Sequence, residues 1–299
     1  MNDAGTPVTR AEFRERVYRR PILVAPGAYD ALTAKLVEHS GFETVYVSGA
    51  GVSYSTLGQP DVGLVSFGEM VESVRRVASA VSIPIIADAD NGYGNPLNVR
   101  RTVQAYELAG AYAIQIEDQA WPKKCGHLAD KVILPKDEAV MKVKAAVEAR
   151  QDPNTMIVAR TDALAVTGLE DALDRALRYE EAGADVIFVE APLSPEQMQK
   201  ICEGVSVPCL ANMVEGGRTP LLSNTELQDI GYGLVIYPNM LTRIIARQAS
   251  DGLHHLKLHG TSRELIPKMM LFNELNELLG MEAITNLQQQ YAVDGVPTK

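Results

Sequence analysis

The chain has few cysteines, no long apolar run and no excess of basic residues, and each lack excludes something. Three cysteines occur in 299 residues, Cys125, Cys202 and Cys209. They form neither a CxxC pair nor the even, closely spaced set of a disulfide framework. Cys202 and Cys209 sit in or beside apolar stretches, where inert buried thiols are common. No apolar run approaches the length of a membrane span. The opening "MNDAGTPVTRAEFRERVYRR" has no apolar signal region, so a reducing, cytoplasmic location is expected. Lys and Arg number 28 against 38 Asp and Glu, a formal net charge of -10. A nucleic-acid binder needs a basic patch to displace counterions, and an anionic membrane surface would be repelled, so neither partner is expected. The dinucleotide fingerprint is also missing: "GAGVSY" has Gly49 and Gly51 but Tyr54 where a third glycine would stand. What remains is a globular chain, 46% hydrophobic, long enough to bury a large core.

Eight short apolar runs are present: 22–28, 44–50, 84–90, 113–119, 156–163, 186–192, 208–213 and 234–240. Amphipathic helical patterns separate them. In "FGEMVESVRRVASAV", Met70, Val71, Val74, Val77 and Val81 fall at helical spacing. "EDALDRALRYEEAGAD" runs to Gly183, a helix stop. Strands alternating with helices predict parallel β/α architecture. Eight such units in about 240 residues predict a (β/α)8 TIM-type barrel. The tail from Thr261 reads as two or three further helices. No linker interrupts the chain, so 1–299 is expected to be a single domain, with 261–299 a C-terminal helical extension.

Polar residues collect at the C-terminal ends of the runs: Ser48, Asp88 and Asp90, Glu117 and Asp118, Arg160 and Asp162, Glu190, Asn212. In a barrel these ends form the catalytic face. Caps and turns also favour Asp, Asn and Ser there, but Glu117, Glu190 and Arg160 are poor caps. Asp88 and Asp90, two apart, would project to one side of a strand. With Glu117 and Asp61 they make an all-oxygen set, suited to Mg2+ or Mn2+ rather than zinc. "SGAG" (48–51) offers small residues, backbone N–H groups and the Ser48 hydroxyl to an anion. Arg160 would hold a carboxylate by two prongs, or pair with Asp162 or Glu190. "HHLKLH" places His255 and His259 four apart on a helix, but without the Glu of HExxH it reads as a packed or solvated face.

"EDQAWPKKCGH" (117–127) leads into a loop reaching about Pro135, long for a β/α connection and of lid length. Lys123, Lys124 and His127 would lower the Cys125 thiol pKa. Gly126 would let the backbone bend.

On "VSGAG", "GQPDVG", "DADNGYG", "EDQ", "KKCGH", "ARTDA", "VEAP" and "NMVEGG", in that order, the chain resembles the isocitrate lyase/phosphoenolpyruvate mutase superfamily over nearly its whole length. The resemblance implies a barrel whose last helix is swapped between subunits, assembled as a homotetramer of paired dimers. It implies Mg2+, with Mn2+ able to substitute, at Asp88 and Asp90, with Asp61 and Glu117 acting through water. Ser48, Gly49 and Ala50 would hold the α-oxyacid end of a small anionic carboxylate substrate. Arg160 would bind its carboxylate. Lys124, Gly126, Glu190, Asn212, Val214 and Arg243 would complete the pocket. Lys123, Lys124 and Arg160 would stabilise the developing charge, with Cys125 as proton donor and His127 tuning its thiol.

The implied activity is cleavage of a 2-hydroxy di- or tricarboxylate, 2-methylisocitrate or a 2-alkylmalate such as 2,3-dimethylmalate, to a 2-oxo acid and a carboxylate. "ARTDALAVTG" and Arg243 resemble the methylisocitrate branch. "NMVEGG", with Val214 and Gly216 in place of Thr and Phe, resembles the dimethylmalate branch, which also includes carboxyphosphonoenolpyruvate mutase. Phosphonomutase chemistry is therefore the alternative. An oxaloacetate hydrolase or decarboxylase and a non-catalytic binding barrel rank below it.

Overall fold

The computed structural model describes residues 7–124, 126 and 130–292. Eight strands form one parallel sheet: β1 (Leu23–Ala28), β2 (Val45–Val47), β3 (Ile85–Asp88), β4 (Ala113–Glu117), β5 (Met156–Thr161), β6 (Val186–Val189), β7 (Leu210–Asn212) and β8 (Leu234–Tyr237). Each of β1 to β5 pairs with the next, and β8 pairs with both β1 and β7. A single parallel bridge from Ile187 to Cys209 completes the ring. This is the (β/α)8 barrel that the eight runs predict.

Strand alternation builds two layers of core. Leu23, Ala25, Tyr46, Ile86, Met156, Val158, Phe188, Leu234 and Ile236 cluster together. Their neighbours of opposite parity, such as Ile157, Ala159 and Ile187, pack in other clusters that contain the helices' buried residues. Successive strand side chains point to opposite faces, so a strand buried on both faces reads as a continuous apolar run. The helix Arg10–Val17 adds Phe13 and Val17 to the first cluster, with the Phe13 ring edge-on to Tyr112 at 5.8 Å.

The helix over "FGEMVESVRRVASA" runs Phe67–Ala80 and buries Met70, Val74 and Val77. Its Ser66–Glu69 capping box satisfies the first-turn N–H groups. The helix Leu169–Glu181 ends just before Gly183, which adopts a positive φ of 98°.

The chain divides into two compact units between Thr242 and Arg243, inside the helix Met240–His259. The extension expected from 261 begins just after that helix, which ends at His259, so the second unit starts earlier than expected, at Arg243. The second unit continues through a 3-10 turn (Arg263–Lys268) and the helices Phe272–Leu278 and Met281–Gln290. On its first helix the His255 and His259 rings lie 4.4 Å apart, and His255 meets Glu264 at 3.2 Å. Among the described residues, no helix is long and apolar enough to cross a membrane.

Candidate active site

A cavity opens at the C-terminal ends of the strands. It is lined by Tyr46, Ser48, Ala50, Asp61, Asp88, Glu117, Lys123, Lys124, Gly126, Arg160, Phe188, Glu190, Asn212, Val214, Ile236, Pro238 and Asn239. The cavity is small and lined mainly by polar side chains. Register does much of the assembly. Glu117 pairs with Arg160 across β4 and β5, and Arg160 with Phe188 across β5 and β6.

The segment after β2 is helical: Gly49–Val52 forms one turn, followed by a π turn, Ser53–Leu57. Ser48 caps it, accepting from Gly51 N at 3.1 Å. Gly49 N donates to Asp88 Oδ2 at 3.3 Å, and a Cβ on Gly49 would stand 2.8 Å from that oxygen. Glycine there permits the close approach of backbone to carboxylate.

Asp88 ends β3, but Asp90 lies beyond the strand with a positive φ of 46°. The two carboxylates reach the site together by a turn, not by strand alternation as their spacing predicts. The Asp90 N–H donates to Asp88 Oδ1 at 3.1 Å, which holds that turn. Burial pushes the Asp90 carboxyl up to about 6, with Lys123 acting against the rise and Asp88 and Asp61 adding to it. Burial also raises Glu117 well above the usual carboxylate range, although Arg160 opposes it.

Lys123 is buried among these acids, 2.5 Å from Asp61 Oδ1 and 2.7 Å from Asp90 Oδ1. Burial disfavours its charge, but Asp90, Asp61 and Asp88 outweigh that and hold the ammonium protonated. The pairing pattern places Lys123 in the floor of the site. Lys124 instead donates from Nζ to the Asp130 carbonyl at 3.0 Å.

Arg160 spends its fork on Asp162, with Nε at 3.0 Å and Nη2 at 3.1 Å. The same two nitrogens lie 3.3 Å from Glu117 and Glu190. Its charge survives burial because Asp162, Glu117 and Glu190 surround it. Glu190 is held by Ala191 N at 2.8 Å and by Asn212 Nδ2 at 3.1 Å.

Gly126 has a different role from the bend expected of it. Its φ is not left-handed, but a Cβ there would fall 2.4 Å from both Arg160 Nη2 and Glu190 Oε2. The loop therefore meets the site through bare backbone. Cys125 and His127 lie outside the described residues. Arg243 begins the second unit.

The acids suit a hard divalent cation. The buried carboxylates Asp61, Asp88, Asp90, Glu117, Asp162 and Glu190 outnumber the buried cations Lys123, Lys131 and Arg160. Among the described residues, Glu117 Oε1 and Asn212 Oδ1 are buried without a hydrogen bond, while Asp90 Oδ1 has the Lys123 ammonium at 2.7 Å. Among those residues, no group of three or more His, Cys, Asp or Glu side chains is placed to hold a metal ion by itself. Mg2+ needs no such group, since it keeps several waters and takes only one or two carboxylates.

Tyr46, Gln115 and Asn239, which the sequence does not single out, also line or support the site, and so does Asp118, named at the end of the fourth run. Tyr46 donates to Gln115 Oε1 at 3.1 Å, and Gln115 Nε2 reaches Asp88 Oδ1 at 3.4 Å. Ser48 Oγ lies 3.4 Å from Asn239 Oδ1. Asp118 is buried behind Arg160, accepting from Thr161 at 2.7 Å, Tyr179 at 2.8 Å and Arg175 at 3.1 Å. Tyr46 and Gln115 carry no sequence signal, because each reads as an ordinary strand residue.

Comparison with known proteins identifies the family. A family model described as phosphoenolpyruvate phosphomutase matches residues 13–257. The chain belongs to the phosphoenolpyruvate mutase/isocitrate lyase superfamily. It is 48% identical to 2,3-dimethylmalate lyase of Eubacterium barkeri over 284 residues, covering 95% of this chain and 98% of that protein. It is 43% identical to 2-methylisocitrate lyase of Aeropyrum pernix, covering 90% and 86%. Among solved structures of the superfamily, a phosphonopyruvate hydrolase complexed with oxalate and Mg2+ matches with a TM-score of 0.86 at 31% identity, covering 95% and 99%.

Proposed function

We propose that this protein is a divalent-metal-dependent carbon–carbon lyase. It cleaves a 2-hydroxy dicarboxylate of the 2-alkylmalate type, or 2-methylisocitrate, to a 2-oxo acid such as pyruvate and a second carboxylate. The observation that carries this reading is the arrangement of the cavity: buried carboxylates with Glu117 Oε1 left unbonded, faced by Arg160 and approached by the main chain at Gly126. The identity to 2,3-dimethylmalate lyase and 2-methylisocitrate lyase supports it.

Asp88 and Asp90 would hold Mg2+ or Mn2+, with Asp61 and Glu117 behind them. When bound, the metal supplies the Lewis acidity that makes the substrate hydroxyl easier to deprotonate. The chain's own groups do the rest. Backbone N–H groups and the hydroxyl of Ser48, Gly49 and Ala50 orient the oxyacid end. As the hydroxyl loses its proton and becomes a ketone, the C–C bond breaks and its electron pair passes to the departing fragment. Arg160 and Lys123 face the enolate charge that develops. Cys125, assigned from the sequence alone, returns a proton to the fragment's carbon, with His127 tuning the thiol. Val214, Ile236 and Pro238 give the cavity an apolar wall, which favours an alkyl group over a further hydroxyl or carboxylate.

The same reading includes a cytoplasmic homotetramer of helix-swapped dimers, with Arg243 reaching a substrate carboxylate. Support comes from the second unit, where Ile244, Leu253, Leu256, Phe272, Ile284 and Leu287 are exposed in the single chain. Light scattering of the purified protein tests the assembly.

The activity is tested by 2-oxo acid release from 2,3-dimethylmalate, 2-methylisocitrate, isocitrate and oxaloacetate, with Mg2+ and with EDTA. Metal-dependent pyruvate from either of the first two is expected. Mg2+ binding without turnover of any would reject the lyase and point to phosphorus–carbon chemistry.

A further inference from the structure

One buried cation at the barrel mouth has no part in the chemistry above. The Lys131 side chain is 1% exposed, and its Nζ lies 2.5 Å from Asp162 Oδ1, itself fully buried. The same ammonium donates to the Gly126 carbonyl. Asp162 is already forked by Arg160, so neutralising that carboxylate does not require a second cation. Burying an ammonium costs free energy that one ion pair seldom returns. The additional partner is the main chain at Gly126, which lies against Arg160 and Glu190.

A second strut ends on the same carboxylate. Gln119 Nε2 lies 3.3 Å from Asp162 Oδ2. The Gln119 amide also brackets Lys124, accepting from its N–H at 3.0 Å and donating to its carbonyl at 2.8 Å. The loop is thus tied to Asp162 at Lys124 and at Gly126. The anion that orients Arg160 also receives both ties.

We propose that Lys131 is a positioning residue, whose ammonium bridges the Gly126 carbonyl to Asp162 and sets the height of Gly126 above Arg160. Asp162 is the shared anchor through which loop position and guanidinium orientation are coupled. This inference rests on the lyase reading for its kinetic consequence but not for its structural one.

The test compares Lys131→Met, Lys131→Gln and Lys131→Arg in the full chain. Lys131→Met removes the charge and keeps the bulk. Lys131→Gln can still donate to the Gly126 carbonyl and serves if the Met variant does not fold. Turnover is measured on whichever substrate the wild type accepts, together with tryptic cleavage after Lys123 and Lys124 and thermal melting. For Lys131→Met, kcat is expected to fall about 100-fold, as for a catalytic group misplaced by roughly 1 Å. KM should change much less. Cleavage after Lys123 or Lys124 should become several-fold faster while the melting temperature stays near the wild-type value. Lys131→Arg should recover part of both losses.

Wild-type kcat and wild-type resistance to trypsin in Lys131→Met would overturn the proposal. So would an equal loss in the Met and Arg variants accompanied by a lowered melting temperature, since that marks a merely structural residue. If the wild type turns over no substrate, the lyase reading fails, and the tryptic comparison alone decides the role of Lys131.

Discussion

The ammonium of Lys123 stands 2.7 Å from Asp90 Oδ1, a buried cation inside the acid cluster suited to a metal. Without bound metal, this lysine offsets the mutual repulsion of Asp61, Asp88 and Asp90. Two cations at that spacing repel each other, so metal and lysine compete for the same field. Lys123→Gln is expected to tighten Mg2+ binding by about tenfold, a modest fraction of that repulsion. It should also lower kcat by about 100-fold or more, as for loss of an electrostatic stabiliser. Calorimetric titration with Mg2+ and steady-state kinetics read the two effects, and weaker Mg2+ binding in the variant would refute the account.

Asp88→Asn should have the opposite effect on the metal. Asp88 faces the Gly49 N–H and lies beside Asp90. Removing its charge takes away a hard oxygen donor that an amide replaces poorly. Loss of calorimetric Mg2+ binding is expected, with turnover reduced to the level of EDTA-treated wild type. Retained metal binding with full activity would move the site elsewhere.

Gly126→Ala isolates the loop's close approach. A methyl there would press on Arg160 Nη2 and Glu190 Oε2 at 2.4 Å, so the loop must rise. The expected result is a fall in kcat/KM of about 100-fold, the cost of roughly 1 Å of misplacement. The fold should survive, because the strain is relieved outward. Unchanged kinetics would mean that loop height at Gly126 is irrelevant.

Behind the site, Asp118 carries a stability load. It accepts from Thr161 and Tyr179 and pairs with buried Arg175 at 3.1 Å. Asp118→Asn leaves that guanidinium short of its counter-charge, for an expected loss of about 3 kcal/mol, the low end for breaking a buried pair. Urea unfolding measures it, and a loss within error of zero would show that Asp171 alone satisfies Arg175.

Asp171 makes the pH prediction. Burial pushes its carboxyl up, but hydrogen bonds from Lys136, Thr167 and Arg175 outweigh burial and hold it below the usual range. A depressed folded pKa contributes stability above the unfolded value of about 3.9, lost as pH falls through the folded value. The stability gap between wild type and Asp171→Asn should therefore be constant above about pH 5 and shrink below pH 3.9. Chemical denaturation across that range tests it, and a gap that widens on acidification would reverse the sign.

The sequence by itself determined the barrel. Eight Val- and Ile-rich runs alternating with amphipathic helices have one compact solution, because each strand is buried on both faces. Clustering of polar residues at the strand ends was legible too, since strand direction puts those ends on one face. That pattern named Asp88, Glu117, Arg160, Glu190 and Asn212, all of which line the cavity. Pairings that depend on three dimensions were not legible. Asp90 reaches the site through a left-handed turn, Gly126 is needed for contact rather than for bending, and Lys123 faces the acids while Lys124 does not. Lys131 and Asp118 show the limit most clearly. A lysine in a loop carries no signal in the sequence, and an aspartate at a strand end is placed on the catalytic face with no hint of its partners. Only tertiary packing, which removes water and leaves each charge to find its partner, made one a strut and the other a hub.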